Sequence, residues 1–195
     1  MGDFKQAIQR HPVIAAVRSE EDLNALKDSK PTVCFLLAGE INTLKQTVDC
    51  VRNMGKLVYI HLDLAQGLGN DRAALQYLKK VIHPDGILST RTNLVRFARE
   101  EGLFAIQRLF IPDGMSVETG INLLKQSKAD ATEIMPGVIP SWVFKDLRKK
   151  SDIPIVAGGL LRERYDVENA FKNGASAVSV SRHELWSYDG YPIKK

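Results

Sequence analysis

Pro154-Ile-Val-Ala-Gly-Gly159 and, one helix length later, Ala177-Val-Ser-Val-Ser181 decide how this sequence folds. Both are short apolar runs, the first ending in paired glycines and the second in small hydroxyl residues. A polar, helix-like segment closed by Gly174 separates them. Two such strands joined by a helix lie side by side and parallel. In barrels this pair of strand ends makes a phosphate site: glycines let the backbone approach a bulky anion, and N–H groups at a following helix start supply donors. In a (β/α)8 barrel that site follows the seventh and eighth strands, so the number of strands upstream tests the reading.

Six more strands precede the pair. Val13–Val17 is the first and ends at Arg18, after which Ser19-Glu-Glu-Asp22 caps a short helix to Lys27. Thr32–Gly39 is the second, followed by a helix from Ile41 to Met54 with apolar residues at Ile41, Leu44, Val48 and Val51 and a stop at Gly55. Leu57–Leu64, Asp85–Thr90, Phe104–Ile111 and Ala131–Met135 are the third to sixth, with helices at Asp71–Val81, Asn93–Glu101, after Pro112-Asp113-Gly114 to Ser127, and Ser141–Lys150. With Ile153–Gly159 and Ala177–Ser181 the strands number eight. Largely apolar strands alternating with helices make a parallel sheet covered on both faces, and eight units predict a compact (β/α)8 barrel of the TIM type. A doubly wound sheet is the alternative. The first strand–helix turn argues against it, since Arg18-Ser-Glu-Glu21 carries no GxGxxG and suits a dinucleotide poorly.

Size and composition agree with one barrel over residues 1–186 and a loose tail over 187–195. The 195 residues are 44% hydrophobic, enough for one substantial core. No run approaches the roughly 18 apolar residues that span a bilayer, and the first residues lack the apolar core of a secretion signal, so a soluble, cytoplasmic protein with no membrane partner is expected. Cys34 and Cys50 lack the clustering of a zinc or redox motif and read as buried small hydrophobes. Lys and Arg exceed Asp and Glu by 27 to 23, a net charge of +4 with a pI near 9.0. That excess permits an anionic partner such as RNA without requiring one.

Ionisable residues within strands need partners or a solvated pocket, and here they gather at the C-terminal strand ends. Arg18 closes strand one, His61 and Asp63 share one face of strand three, Ser89 and Thr90 end strand four, Arg108 and Glu133 lie in strands five and six, and Ser179 and Ser181 finish strand eight. One reading is a structural charge network inside the barrel. The other is a small polar molecule with its phosphate near strands seven and eight, at Gly158, Gly159, Ser179 and Ser181, its hydroxyl groups facing Asp63, Glu133 or His61, and Arg18 or Arg108 as the cationic complement. No metal is expected, because His61, Asp63 and Glu133 do not follow a metal-ligand spacing. A Schiff-base enzyme would need a lysine at the mouth, and the lysine beside strand three, Lys56, stands at the wrong end. An isomerase using Glu133 or Asp63 as base and His61 as acid stays open.

The segments Phe35-Leu-Leu-Ala-Gly-Glu-Ile41, Tyr59-Ile-His-Leu-Asp-Leu64, Asp85-Gly-Ile-Leu-Ser-Thr-Arg91, Ile106-Gln-Arg-Leu-Phe110, Glu133-Ile-Met-Pro-Gly-Val-Ile-Pro140, Ala157-Gly-Gly-Leu-Leu161 and Ala177-Val-Ser-Val-Ser181, in that order, resemble the glycerol-3-phosphate-responsive antiterminators of bacterial glycerol-utilisation operons. The resemblance spans nearly the whole chain. It implies a barrel that binds glycerol 3-phosphate as an effector, without a further cofactor and without catalysis, and then binds leader mRNA to prevent premature termination. A change of state or of homo-oligomer on ligand binding would couple the two events. The residues themselves show no RRM or KH signature. The best basic cluster for RNA is Lys145, Arg148, Lys149 and Lys150, with Lys79-Lys80 and Lys194-Lys195 as smaller ones. A phosphotriose or phosphosugar enzyme using acid/base chemistry at the mouth is the alternative function.

Overall fold

The computed structural model describes residues 2–189, in which eight parallel strands close into a barrel in chain order. They are β1 (Val13–Val17), β2 (Val33–Leu36), β3 (Leu57–His61), β4 (Gly86–Ser89), β5 (Phe104–Phe110), β6 (Ala131–Met135), β7 (Ile155–Gly158) and β8 (Ala177–Val180), and β8 closes on β1 through the register Ile14 to Ser179. The covering helices are α1 (Gly2–Arg10), α2 (Glu20–Leu26), α3 (Ile41–Asn53), α4 (Arg72–Tyr77), α5 (Thr92–Glu100), α6 (Gly114–Ser127), α7 (Ser141–Lys150), α8 (Arg164–Asn173) and the short α9 (His183–Trp186). The (β/α)8 expectation holds. Among the described residues no helix is long and apolar enough to cross a membrane.

Alternation along each strand divides the apolar residues into two cores. Ile14, Phe35, Tyr59, Ile106 and Val156 fill the barrel interior, while Val13, Cys34, Val58, Ala105 and Ile155 pack outward under the helices. The interior is closed at its N-terminal end by α1, a helix the sequence reading did not foresee. Phe4, Ala7 and Ile8, spaced by three and four, form its buried stripe. The Phe4 ring lies 5.2 Å from Tyr59 and 5.0 Å from Phe104, within range for aromatic packing. Gly86 makes room for this cluster: a Cβ there would stand 2.3 Å from the Phe104 carbonyl oxygen and 2.8 Å from the Tyr59 ring.

Several boundaries differ from expectation for local reasons. β3 ends at His61, and Leu62–Leu64 turns away as a 3-10 helix because Asp63 is bound to the end of β4. The helix expected to Val81 is α4 followed by a π-turn, Leu78–Ile82, which His83 ends with a left-handed φ of 59°. Cys34 is buried, but Cys50 lies on the solvent side of α3 and is exposed, which corrects its reading as a buried hydrophobe. The start of the tail is docked rather than loose. Tyr188 is buried and stacks on Phe171, and Asp189 pairs with Lys30 at 2.5 Å. The remaining tail positions, including Lys194-Lys195, lie outside the described residues.

Candidate functional site

At the C-terminal end of the barrel a cavity of about 550 Å³ opens over β5, β6, β7, β8 and β1. Its lining includes Arg18, Arg108, Glu133, Gly159, Ser179 and Ser181, six of the residues singled out in the sequence. It also includes Arg162 and Arg182, which sequence reading missed. Four arginines face one glutamate, a net lining charge of +3. Among the described residues only Arg108 has an anionic partner there, its Nε donating to Glu133 Oε2 at 2.6 Å from the next strand in register. The side chains of Arg18, Arg162 and Arg182 make no ion pair or hydrogen bond among the described residues, and neither do the hydroxyls of Ser179 and Ser181. Such a cavity has cationic and hydroxyl donors in excess and suits a compact anion.

Two of these arginines are set by the same local device on either side of β8. Arg18 N–H and Ser19 N–H donate to Asp22 Oδ2 at 2.8 and 3.1 Å, and Arg162 N–H and Glu163 N–H donate to Asp166 Oδ2 at 2.8 and 2.9 Å. Each aspartate is the third residue of its helix and completes a capping box. The backbone before each helix is thereby fixed, and the arginine preceding it lines the cavity. The signal was present in the sequence as Arg18-Ser-Glu-Glu-Asp22 and Arg162-Glu-Arg-Tyr-Asp166, one spacing used twice. Burial opposes ionisation of Asp22, but hydrogen bonds from Arg18 N–H, His183 and Ser19 outweigh it and hold the carboxyl below its ordinary range. Nε2 of His183 donates to Asp22 Oδ1 at 2.8 Å and its ring lies 4.5 Å from Trp186, so His183 braces the loops after β8 and β1 and does not line the cavity.

The paired glycines divide their work. Gly159 lines the cavity with a left-handed φ of 73°, a conformation that glycine adopts without strain. Gly158 does not line it and serves its neighbour instead. A Cβ there would stand 2.4 Å from Glu133 Oε1, so the missing side chain is the space the carboxylate occupies. Leu160 follows with a φ of 60°, unusual for a bulky residue, and is 63% exposed at the rim of the cavity.

His61 and Asp63 stand apart from the cavity lining. Asp63 accepts from Ser89 Oγ at 2.9 Å, Thr90 N–H at 2.7 Å and Thr90 Oγ1 at 3.1 Å, with Arg91 at 3.5 Å. These donors bind β3 to β4, so this carboxylate braces the two strand ends. His61 is buried beside it, its Nδ1 3.8 Å from Asp63 and without a hydrogen bond. Burial, reinforced by Arg108, lowers its pKa to about 4, against the weaker pull of Asp63. It is therefore neutral at physiological pH. Lys56 stands at the opposite end, donating to the carbonyls of Ser29 and Pro31 at 2.7 Å each, and cannot reach the mouth. No group of three or more His, Cys, Asp or Glu arranged for a metal occurs among the described residues.

The basic cluster of α7 is only partly available. Arg148 turns to the end of α8, donating from Nε and Nη2 to the Gly174 carbonyl at 3.0 and 2.7 Å, and Lys149 pairs with Asp146 at 2.9 Å. Lys145 and Lys150 are exposed, and Lys149 and Lys150 border a groove between α6 and α7 whose other end is lined by Gly114 and Trp142.

Comparison with known proteins gives this site its context. Residues 13–186 match the family described as glycerol-3-phosphate responsive antiterminator. The uncharacterized protein YgcP of Escherichia coli K12 is 37% identical over 183 residues, covering 92% of this chain and 94% of that protein. The crystal structure of a glycerol uptake operon antiterminator regulatory protein from Listeria monocytogenes superposes with a TM-score of 0.85 at 35% identity, covering 93% of this chain and 96% of the other. An antiterminator-related protein from Thermotoga maritima gives 0.81 at 29% identity, covering 90% and 98%. Family match, full-length relatives and barrel agree, and the chain belongs to the glycerol-3-phosphate-responsive antiterminators.

Proposed function

We propose that this protein binds glycerol 3-phosphate in the arginine-lined mouth and, in response, binds leader RNA of glycerol-utilisation operons to control antitermination. The observation that carries the ligand assignment is the set of unengaged donors around one cavity: Arg18, Arg162, Arg182, Ser179 and Ser181, with the left-handed Gly159 beneath them. A phosphoryl group takes the β7–β8–β1 side. Glu133, held by Arg108 on the β5–β6 side, accepts from the glycerol hydroxyls. The RNA step rests on membership of the family and not on any feature of this cavity.

A sensor is favoured over a phosphotriose or phosphosugar enzyme by what surrounds the candidate acids and bases. Glu133 is engaged by Arg108, Asp63 by donors of β4, and His61 is neutral, buried and outside the cavity lining. Calorimetric titration with glycerol 3-phosphate, beside glycerol and inorganic phosphate, tests the assignment while NMR follows the ligand. Saturable binding without conversion is expected. Conversion would establish the enzyme, and absence of binding would remove the anion-site reading.

A further inference from the structure

Among the described residues, most of the exposed large apolar side chains are gathered at the end that carries the cavity. Of the eight such residues among those described, Leu64, Phe110, Met115, Val138, Trp142, Leu160, Tyr165 and Val81, all but Val81 lie at or soon after the C-terminal end of a strand. Concentration at one end marks an interaction surface. Trp142 lies across the first turns of α7 and α6, its Cη2 3.8 Å from where a Cβ of Gly114 would stand. Leu160 is at once part of this surface and part of the cavity lining, and Tyr165 follows Arg162 by three residues.

Charge selects the occupant. The cavity beneath the rim carries four arginines against one glutamate, and a bound phosphoryl dianion leaves it still positive by about one charge. Two copies of this chain meeting mouth to mouth would set like charges against each other, which disfavours association. A polyanion meets no such penalty. Phe110, Trp142 and Tyr165 offer exposed aromatic faces on three successive strand–helix connections, the combination of stacking platforms and cations that takes single-stranded nucleic acid. Arg148, Lys149 and Lys150 stand in the last turn of α7, away from the mouth, Lys145 lies halfway along the helix, and two of that cluster's four side chains are already engaged.

We infer that the rim of the mouth, and not the basic face of α7, is the RNA-binding surface, with unpaired bases stacking on Trp142 and Tyr165 and backbone phosphates drawn to the mouth arginines. This rests on the reading of the protein as an RNA-binding antiterminator. It also supplies the coupling that reading needs, since Leu160 belongs both to the cavity and to the rim.

The two tryptophans make the test direct, because Trp142 is 46% exposed and Trp186 only 2%. Full-length protein saturated with glycerol 3-phosphate is titrated with a leader transcript from the host's glycerol-utilisation genes, reading tryptophan fluorescence and, with labelled transcript, anisotropy. Quenching that disappears in Trp142→Phe is expected, together with binding about tenfold weaker in Trp142→Ala and in Tyr165→Ala. The Lys145→Ala/Lys149→Ala/Lys150→Ala variant should bind as the native protein does. RNA binding without quenching, indifferent to Trp142→Ala and Tyr165→Ala but lost in the lysine variant, would overturn the surface and leave the antiterminator reading intact. No RNA binding by native protein would overturn both. Dissociation of a larger assembly by Trp142→Ala in the absence of RNA, seen by sedimentation, would assign the rim to a second copy and overturn the inference.

Discussion

Replacing Glu133 by glutamine keeps the shape of the side chain and removes its charge. In the native protein Arg108 and Glu133 are 8% and 1% exposed and joined at 2.6 Å. Removing one partner of a buried pair costs about 3–5 kcal/mol, because the other charge is left uncompensated. Arg108 also lines the solvent-open cavity, where water can reach its guanidinium, which places the cost at the lower end, about 3 kcal/mol. For a chain of 195 residues each kcal/mol moves Tm by about 2–4 °C, so scanning calorimetry should show a fall of about 6–12 °C. Binding should change in two directions. The lining charge rises from +3 to +4, which strengthens the binding of inorganic phosphate. Glycerol 3-phosphate gains the same attraction but loses a charged acceptor for its hydroxyls, a hydrogen bond worth about 1.5–3 kcal/mol. Its preference over phosphate should therefore fall by about tenfold or more. A Tm within about 1 °C of native would refute the buried-pair argument, and an unchanged preference would refute the contact between Glu133 and glycerol.

Gly158→Ala should reproduce part of this effect without touching a charge, since its methyl group would displace Glu133 Oε1; glycerol 3-phosphate affinity falls while the folded state persists, as calorimetry and circular dichroism would show. Arg18→Ala and Arg162→Ala should each weaken glycerol 3-phosphate and inorganic phosphate by similar factors, about tenfold, leaving the preference between them unchanged; a selective loss of one ligand would contradict a phosphoryl contact. His61 has a folded pKa of about 4 against an ordinary value of 6.5, so the unfolded chain takes up its proton first, and stability present above pH 6.5 is lost as pH falls towards 4. The loss is on the order of 3 kcal/mol, and urea unfolding of His61→Gln should show a shallower decline across that window.

The barrel was legible because both faces of its strands are buried. Runs such as Val13–Val17 and Ile155–Gly158 are apolar throughout, and turn residues separate them from their helices. Helix α1 was hidden because Phe4, Ala7 and Ile8 make a short stripe among polar residues, and nothing local says that the stripe plugs a barrel. At the site, residues placed by strand parity came together: Arg108, Glu133 and Ser179 line the cavity as expected. Those placed by loops did not follow. Parity set Asp63 beside His61 facing a ligand, but the chain leaves the strand there and the carboxylate turns to β4. Arg162 and Arg182 look like surface charges until the loops after β7 and β8 are folded over the mouth. Pattern alone does not show that the atom Gly158 makes room for belongs to Glu133.

The plug at the foot of the barrel has a kinetic consequence. With Phe4, Tyr59 and Phe104 packed across the interior below, a molecule in the cavity leaves through the mouth. Anything large seated across the rim then stands in the exit path. The effector would be sequestered for as long as that cover remains, so its escape rate becomes a clock for the lifetime of the assembled complex, readable without labelling the protein at all.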